Sequence, residues 1–291
     1  MATRMPRMTI RTVGVLGCGL MGSGITQVCA AAGYRTVVRE VDERTLEQGL
    51  ARIRQFLDTG VQKGKVTEAS RNATLGNITG TTTFDAFHDC DLVVEAIVES
   101  VQAKQLAYSA IERVVPAHTI LLSNTSSICI TELAAATLRP EKFAGLHFFS
   151  PVPLMKLVEV IRALTTSDET YKTAVEFAAS IGKEPIAAPD RPGFIVNRLV
   201  VPYLLDAIRS HENGLGSVDD IDRGMTLGCG HPIGPFALLD FIGLDTAYSV
   251  ASIMFEEFRE PSYAPPPLLK RMVLAGRLGR KSGRGFYTYS A

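Results

Sequence analysis

Cysteine is scarce in this chain of 291 residues, and the five present (Cys18, Cys29, Cys90, Cys129 and Cys229) are scattered and odd in number. Without a CxxC or a paired Cys/His spacing there is no zinc site to expect, and no other metal. The cysteines read as reduced, mostly packed thiols of a cytoplasmic protein. An excess of charge of one sign is lacking as well, because 30 Lys plus Arg balance 30 Asp plus Glu. That balance argues against a nucleic-acid surface or a polybasic membrane patch and favours a small-molecule partner. No run approaches the ~18 apolar residues that would span a bilayer. The first nine residues hold no apolar stretch of a targeting peptide, and internal repeats and low-complexity tracts are missing. Length is what the chain does have, enough for two domains of ~100–200 residues each.

The most informative stretch is "VGVLGCGLMGSGITQVCAAAGYRTVVREVD", residues 13–42. Val13, Val15 and Leu16 close an apolar, strand-like run that breaks at Gly17, Cys18, Gly19, Leu20, Met21 and Gly22, a GxGxxG motif. The alanine-rich, proline-free residues 20–32 predict a buried helix, and Tyr34 to Val38 a second strand with Glu40 at its end. A helix start in this setting offers backbone N–H groups and a positive dipole end to a pyrophosphate, provided no Cβ blocks the approach at Gly19 or the close packing at Gly22. The acid at Glu40 suits ribose hydroxyls and repels a 2′-phosphate, so NAD is the expected cofactor, with Arg39 and Arg44 the only hint of NADP.

Further along, Leu46, Leu50, Ile53, Leu57 and Val61 recur at helical spacing and predict an amphipathic helix that ends near Lys63 and Lys65. "CDLVVEAI" (90–97) and "TILLSNTS" (119–126) read as buried strands with a helix between them. "KFAGLHFF" (142–149) and "MKLVEVIRA" (155–163) follow, then a helix from about Asp168 to Ile181. This alternation predicts a parallel, doubly wound sheet. The two prolines of "PIAAPDRPGF" (185–194) suggest a boundary. Beyond it, residues 195–212, 217–228, 243–258 and 266–276 look helical, and Pro202 inside the first of these should kink it. The fold expected is α/β: a Rossmann-type doubly wound sheet over 1–192, followed by an all-α domain over 193–291.

An enzyme that oxidises an alcohol with a nicotinamide must take up the hydroxyl proton, and histidine is the usual base. Of His88, His118, His147, His211 and His231, only His147 stands at the end of an apolar strand before a proline-rich turn, where ligand sites gather in α/β sheets. Glu159, twelve residues on, interrupts the apolar "LVEVI" and needs a partner there. If the two segments pair, Glu159 can orient and stabilise the imidazole. The other reading is a core histidine satisfied by backbone and a carboxylate bonded to a turn, and spacing alone leaves both open. "SNTSS" (123–127) could likewise be no more than a helix cap.

Several motifs then coincide: "GCGLMGSGI" (17–25), "DLVVEAIVE" (91–99), "SNTSS" (123–127), "GLHFFSPVPLMKLVEVI" (145–161), "PGFIVNRLVVPYL" (192–204), "HPIGPFALLDFIGLD" (231–245) and "GRKSGRGFYTY" (279–289). Carrying them in this order, the chain resembles the short-chain L-3-hydroxyacyl-CoA dehydrogenases, including those acting on 3-hydroxybutyryl-CoA, almost from end to end. The resemblance implies an NAD domain followed by a helical lobe with much of a homodimer interface, and an acyl-CoA substrate oxidised reversibly to 3-oxoacyl-CoA. It makes His147 the general base and Glu159 its orienting carboxylate. It places Ser126 and Asn197 at the substrate, Glu99, Lys104 and Asn124 near the cofactor, and Lys63 near coenzyme A. Two departures stand out: Glu40 where the family usually has Asp, and Ser150 where it usually has Asn. The catalytic residues leave open an acyl group on a carrier protein or a small hydroxy acid as substrate. They argue against a non-catalytic NAD-binding sensor or structural protein, which would have no need of Ser126, His147, Glu159 and Asn197 together.

Overall fold

The computed structural model describes residues 9–289, so the expectation for the first residues of the chain lies almost wholly outside the described range. Two compact units, Met1–Asp190 and Arg191–Ala291, divide the chain. The first runs β1 (Thr12–Leu16), α1 (Leu20–Ala31), β2 (Arg35–Arg39), α2 (Glu43–Gln62), α3 (Glu68–Gly76), β3 (Ile78–Thr81), β4 (Leu92–Glu95), α4 (Val101–Ile111), β5 (Ile120–Ser123), α5 (Ile130–Ala134), β6 (Phe143–Phe148), β7 (Leu157–Ile161), α6 (Asp168–Ser180) and β8 (Glu184–Ala188). The second runs α7 (Val196–Glu212), α8 (Val218–Cys229), α9 (Pro235–Ile242), α10 (Leu244–Phe258) and α11 (Pro267–Leu274).

One eight-stranded sheet of order β3-β2-β1-β4-β5-β6-β7-β8 organises the first unit. The order reverses direction between β1 and β4, and such a switch point opens a crevice at the carboxyl ends of the strands. Strands β1 to β6 are parallel, and the apolar runs of the central β1, β4, β5 and β6 fit strands covered on both faces. The parallel arrangement expected from the sequence stops there: β7 is antiparallel to β6, and β8 is parallel to β7. The connection between β6 and β7 is a short proline-rich turn, too short for the crossover a parallel pair needs. Val13, Val15, Val94, Leu122, Leu146, Val158 and Val160 are buried at the centre of the core with Ile25 and Cys29 of α1.

β8 lies inside the segment read as a boundary. Its Pro185 is tolerated because β8 is an edge strand, where a missing N–H costs no ladder bond. α3 and β3 carry too weak a periodicity to be read from sequence, and β3 is a half-exposed edge. α9 was passed over although Pro235 opens it and Gly243 closes it. Its start is capped by Asp222 of α8, which accepts from the Phe236 and Ala237 N–H groups at 2.7 and 2.9 Å, a cap that no local sequence signal announces. α7 is one helix with Pro202 inside it.

All five cysteines are free, with Cys18, Cys29 and Cys90 buried. Among the described residues no single helix is long and apolar enough to cross a membrane; α9 and α10 pass that test only together, and they are bent by 95°.

Candidate functional site

At the switch point, β1 delivers the glycine motif. Gly17 has φ +97°, open only to glycine without strain, and its N–H donates to the Arg39 carbonyl at 2.8 Å, tying the turn to β2. A Cβ at Gly22 would stand against the Gly17 carbonyl oxygen, well under 3.0 Å, whereas a Cβ at Gly19 would meet nothing within 4 Å. The first turn of α1 has no side-chain cap. The loop therefore presents backbone N–H groups to open space at a helix N-terminus, which fits a dinucleotide pyrophosphate. Glu40 accepts from the Cys18 N–H at 2.7 Å and the Val41 N–H at 2.9 Å. Arg39 stacks on Phe84 at 4.0 Å and its Nε donates to the Thr82 carbonyl at 3.2 Å. Burial, then the nearby Glu40 charge, push the Cys18 thiol up to about 11, so it stays neutral and unreactive in the loop.

These two glycines separate packing from ligand approach. Gly22→Ala is expected to lower both stability, by about 1–3 kcal/mol in urea titrations, and NADH affinity, because the clash is with backbone that cannot give way. Gly19→Ala should melt like the wild type yet raise the NADH dissociation constant by about tenfold or more. Equal effects of the two substitutions on stability would contradict this assignment.

At the end of β4, Glu95 is fully buried and collects four donors: Lys104 Nζ at 2.5 Å, the Tyr108 hydroxyl at 2.7 Å, the Ser123 hydroxyl at 2.7 Å and the Ile97 N–H at 2.8 Å. Lys104 also reaches Glu99 at 3.3 Å. It is a buried ion-pair centre, only 1 % exposed, acting on the site through Glu99. Glu99 in turn accepts from the Thr125 hydroxyl (2.5 Å), the Ser127 hydroxyl (2.9 Å) and the Ser126 N–H (3.1 Å), so it holds the loop after β5 in place. Burial would raise its carboxyl, but Lys104 and these hydrogen bonds outweigh burial and keep it below the usual carboxylate range. The Tyr108 phenol is pushed well above its ordinary value by burial and then by the Glu95 charge, and remains a donor.

Asn124 joins the neighbouring strand end, its Oδ1 accepting from the Phe148 N–H at 2.9 Å. One residue back stands His147. It is directly opposite Glu159 in the β6–β7 ladder, and its Nδ1 lies 2.7 Å from Glu159 Oε2, with the acid fully buried. The remaining histidines have other surroundings. His88 Nδ1 lies 3.0 Å from the Asp85 carbonyl, His211 Nδ1 3.0 Å from the Gly216 carbonyl, His231 Nδ1 3.2 Å from the Tyr203 hydroxyl, and His118 pairs with Asp91 at a half-exposed surface. Of the five, only His147 shares a buried carboxylate at the carboxyl end of a parallel strand, β6, two strands along from β4.

The turn that follows His147 forms one wall of a groove of about 610 Å³, whose other walls are α1 and α2. The lining is apolar at Leu20, Phe56, Val66 and Pro151 to Leu154, and its charged residues are Arg52, Lys63 and Lys65, with no carboxylate. Lys183 holds the turn from behind, donating to the Val152 and Met155 carbonyls at 2.5 and 2.8 Å; burial lowers its pKa. Ser150 stands in this turn.

The structure thus gathers Glu99, Asn124, Ser126 and His147 at the ends of β4, β5 and β6, backed by Lys104 of α4 and Glu159 of β7, with Lys63 on the groove wall; Asn197 occupies the first turn of α7 in the second unit. Sequence reading missed Glu95, although the signal that picked out Glu159, an acid interrupting an apolar strand, applies to "DLVVE" as well. Nothing in the sequence marks Lys183 or Arg52. Among the described residues no group of three or more potential ligands could hold a metal.

Residues 12–191 match the family model described as 3-hydroxyacyl-CoA dehydrogenase, NAD binding domain, and residues 193–289 match the 3-hydroxyacyl-CoA dehydrogenase C-terminal domain. The chain is 49% identical over 282 residues to a 3-hydroxybutyryl-CoA dehydrogenase of Mycobacterium tuberculosis, covering 96% of this chain and 99% of that one. It is 45% identical over 291 residues to the mitochondrial hydroxyacyl-coenzyme A dehydrogenase of Rattus norvegicus, covering 97% of this chain and 92% of that one. The crystal structure of (S)-3-hydroxybutyryl-CoA dehydrogenase from Ralstonia eutropha superposes with a TM-score of 0.92 at 45% identity, covering 97% of this chain and 100% of the other.

Proposed function

The chain belongs to the 3-hydroxyacyl-CoA dehydrogenase family and is an NAD-dependent oxidoreductase, and from that premise we propose that it interconverts a short-chain (S)-3-hydroxyacyl-CoA, in the first place 3-hydroxybutyryl-CoA, and the 3-oxoacyl-CoA. The observation that carries the reading is the His147–Glu159 pair, 2.7 Å apart at the carboxyl end of the sheet. Bound through the glycine loop and Glu40, NAD supplies the acceptor for the hydride that leaves C3. His147 takes the hydroxyl proton on Nε2 as the C3 carbonyl forms, and returns it in the reduction. Glu159, held at Nδ1, fixes the tautomer that leaves Nε2 as the accepting atom and offsets the positive charge of the imidazolium. Ser126, anchored through its N–H by Glu99, holds the 3-oxygen beside the base. Asn197 is proposed as a substrate contact on its motif alone.

The groove supports an acyl-CoA rather than a small hydroxy acid. An apolar channel edged by three cations and no anion suits a pantetheine arm ending in phosphates. A homodimer and a cytoplasmic location are proposed on the family resemblance.

The test is the fall in NADH absorbance on mixing the purified protein with acetoacetyl-CoA, with NADPH and acetoacetyl-pantetheine run in parallel. Rapid loss of NADH with the coenzyme A ester, and little of NADPH, is the expected result. NADH binding without turnover of either thioester would overturn the proposal.

A further inference from the structure

Arg52 lies on the amphipathic α2, yet its guanidinium turns back to the glycine loop, where Nη2 donates to the Cys18 carbonyl at 2.8 Å. Gly49, one turn earlier on α2, lets the helix come so close to Cys18 that no Cβ would fit between them. The carbonyl that Arg52 grips belongs to the same peptide group as the Gly19 N–H, at the N-cap of α1. On the other side of Cys18, Glu40 holds the preceding peptide through the Cys18 N–H. The Gly17–Gly19 backbone is thus clamped between an acid just after β2 and a base on α2.

Arg52 also lines the groove, together with Lys63 and Lys65. A guanidinium offers five N–H donors in a fixed fork, so one bond to a carbonyl leaves others for a second acceptor. A charge-assisted bond to a carbonyl is about twice as strong as a neutral one. Drawing electron density toward the Cys18 oxygen makes the Gly19 N–H a better donor to an anion. A single positive charge therefore stands between two places that the proposed function fills with phosphates.

We propose that Arg52 serves both ligands of this enzyme: it orients and polarises the Cys18–Gly19 peptide toward the pyrophosphate of the dinucleotide, and with its remaining N–H groups it binds a phosphate of coenzyme A in the groove. The coenzyme A half of this inference rests on the acyl-CoA reading above. The cofactor half does not.

The experiment compares wild type, Arg52→Met and Arg52→Lys by NADH titration and by steady-state kinetics with acetoacetyl-CoA and acetoacetyl-pantetheine, after thermal melting has shown each variant folded. Arg52→Met is expected to raise the NADH dissociation constant by about fivefold, and the KM for acetoacetyl-CoA by about tenfold, as for the loss of one ordinary hydrogen bond in each place. The KM for acetoacetyl-pantetheine, which lacks the nucleotide phosphates, should rise much less. Arg52→Lys keeps the charge without the fork and should restore the coenzyme A term more fully than the NADH term. Unchanged NADH affinity in Arg52→Met overturns the cofactor half, and equal rises in KM for the two thioesters overturn the coenzyme A half. Failure of the wild type to turn over either thioester would remove the acyl-CoA reading, and the coenzyme A half with it, while the NADH titration would still decide the cofactor half.

Discussion

His147→Gln is expected to lower kcat with acetoacetyl-CoA by about 10³–10⁴-fold while NADH binding stays within about twofold of wild type. Glutamine keeps much of the volume of the imidazole and keeps an N–H donor for the buried Glu159, so the loss should reflect chemistry and not collapse of the strand pair. The cause is specific. A secondary alcohol does not give up its proton near neutral pH without a base, and in reduction the new alkoxide needs an acid at the same atom. No other histidine can substitute, because each of the other four is engaged in separate surroundings. Glutamine cannot accept a proton in either direction. A variant turning over within about tenfold of wild type would remove His147 from the role of base.

Glu159→Gln is expected to lower kcat by about 10²–10³-fold, again with NADH binding close to wild type. Glu159 is fully buried, and the glutamine would be neutral, so the substitution carries no penalty from an unpaired buried charge. Two consequences follow from the 2.7 Å contact with Nδ1. If the amide oxygen accepts from Nδ1–H, the tautomer survives but the imidazolium loses its counter-charge. If the amide nitrogen donates to Nδ1, the ring carries its proton on Nε2 and cannot take another from substrate there. Both orientations slow the proton transfer, and neither reaches the glycine loop. Loss of kcat matched by an equal loss of NADH affinity would point to a collapsed site instead of a missing orienting charge.

Much of this protein could be read along the chain. Strand β1, the glycine motif, helix α1 and strand β2 follow one another within thirty residues, and each has a local signature: an apolar run, glycines at fixed offsets, an alanine-rich stretch, a terminal acid. The helical second unit was legible for the same reason, since periodicity is a property of neighbours in sequence. Where an edge strand carried a proline, as β8 does, the local signal pointed away from a strand and the element was missed; α9 was passed over although Pro235 opens it and Gly243 closes it, and the carboxylate that caps it, Asp222, comes from far along the chain.

The candidate site divides along the same line. Residue types and order identified His147 and Glu159 as a possible pair but left a satisfied core histidine equally open, because twelve residues of chain do not specify which strand faces which. The antiparallel register of β6 and β7 decided that the two side chains meet. Lys104 was expected near the cofactor on motif alone; packing made it the buried partner of Glu95, a residue that had drawn no attention.

By itself, then, the sequence determined most of the central strands and helices, the nucleotide loop and the kinds of side chain available for proton transfer, since these depend on spacing within a few residues. Only the tertiary structure decided which of those side chains touch: His147 with Glu159, Glu95 with Lys104, and Arg52 with the carbonyl of Cys18. The physical reason is that burial and hydrogen bonding act across space, and a charge placed on a helix or strand has no assigned partner until the sheet and its covering helices have closed around it.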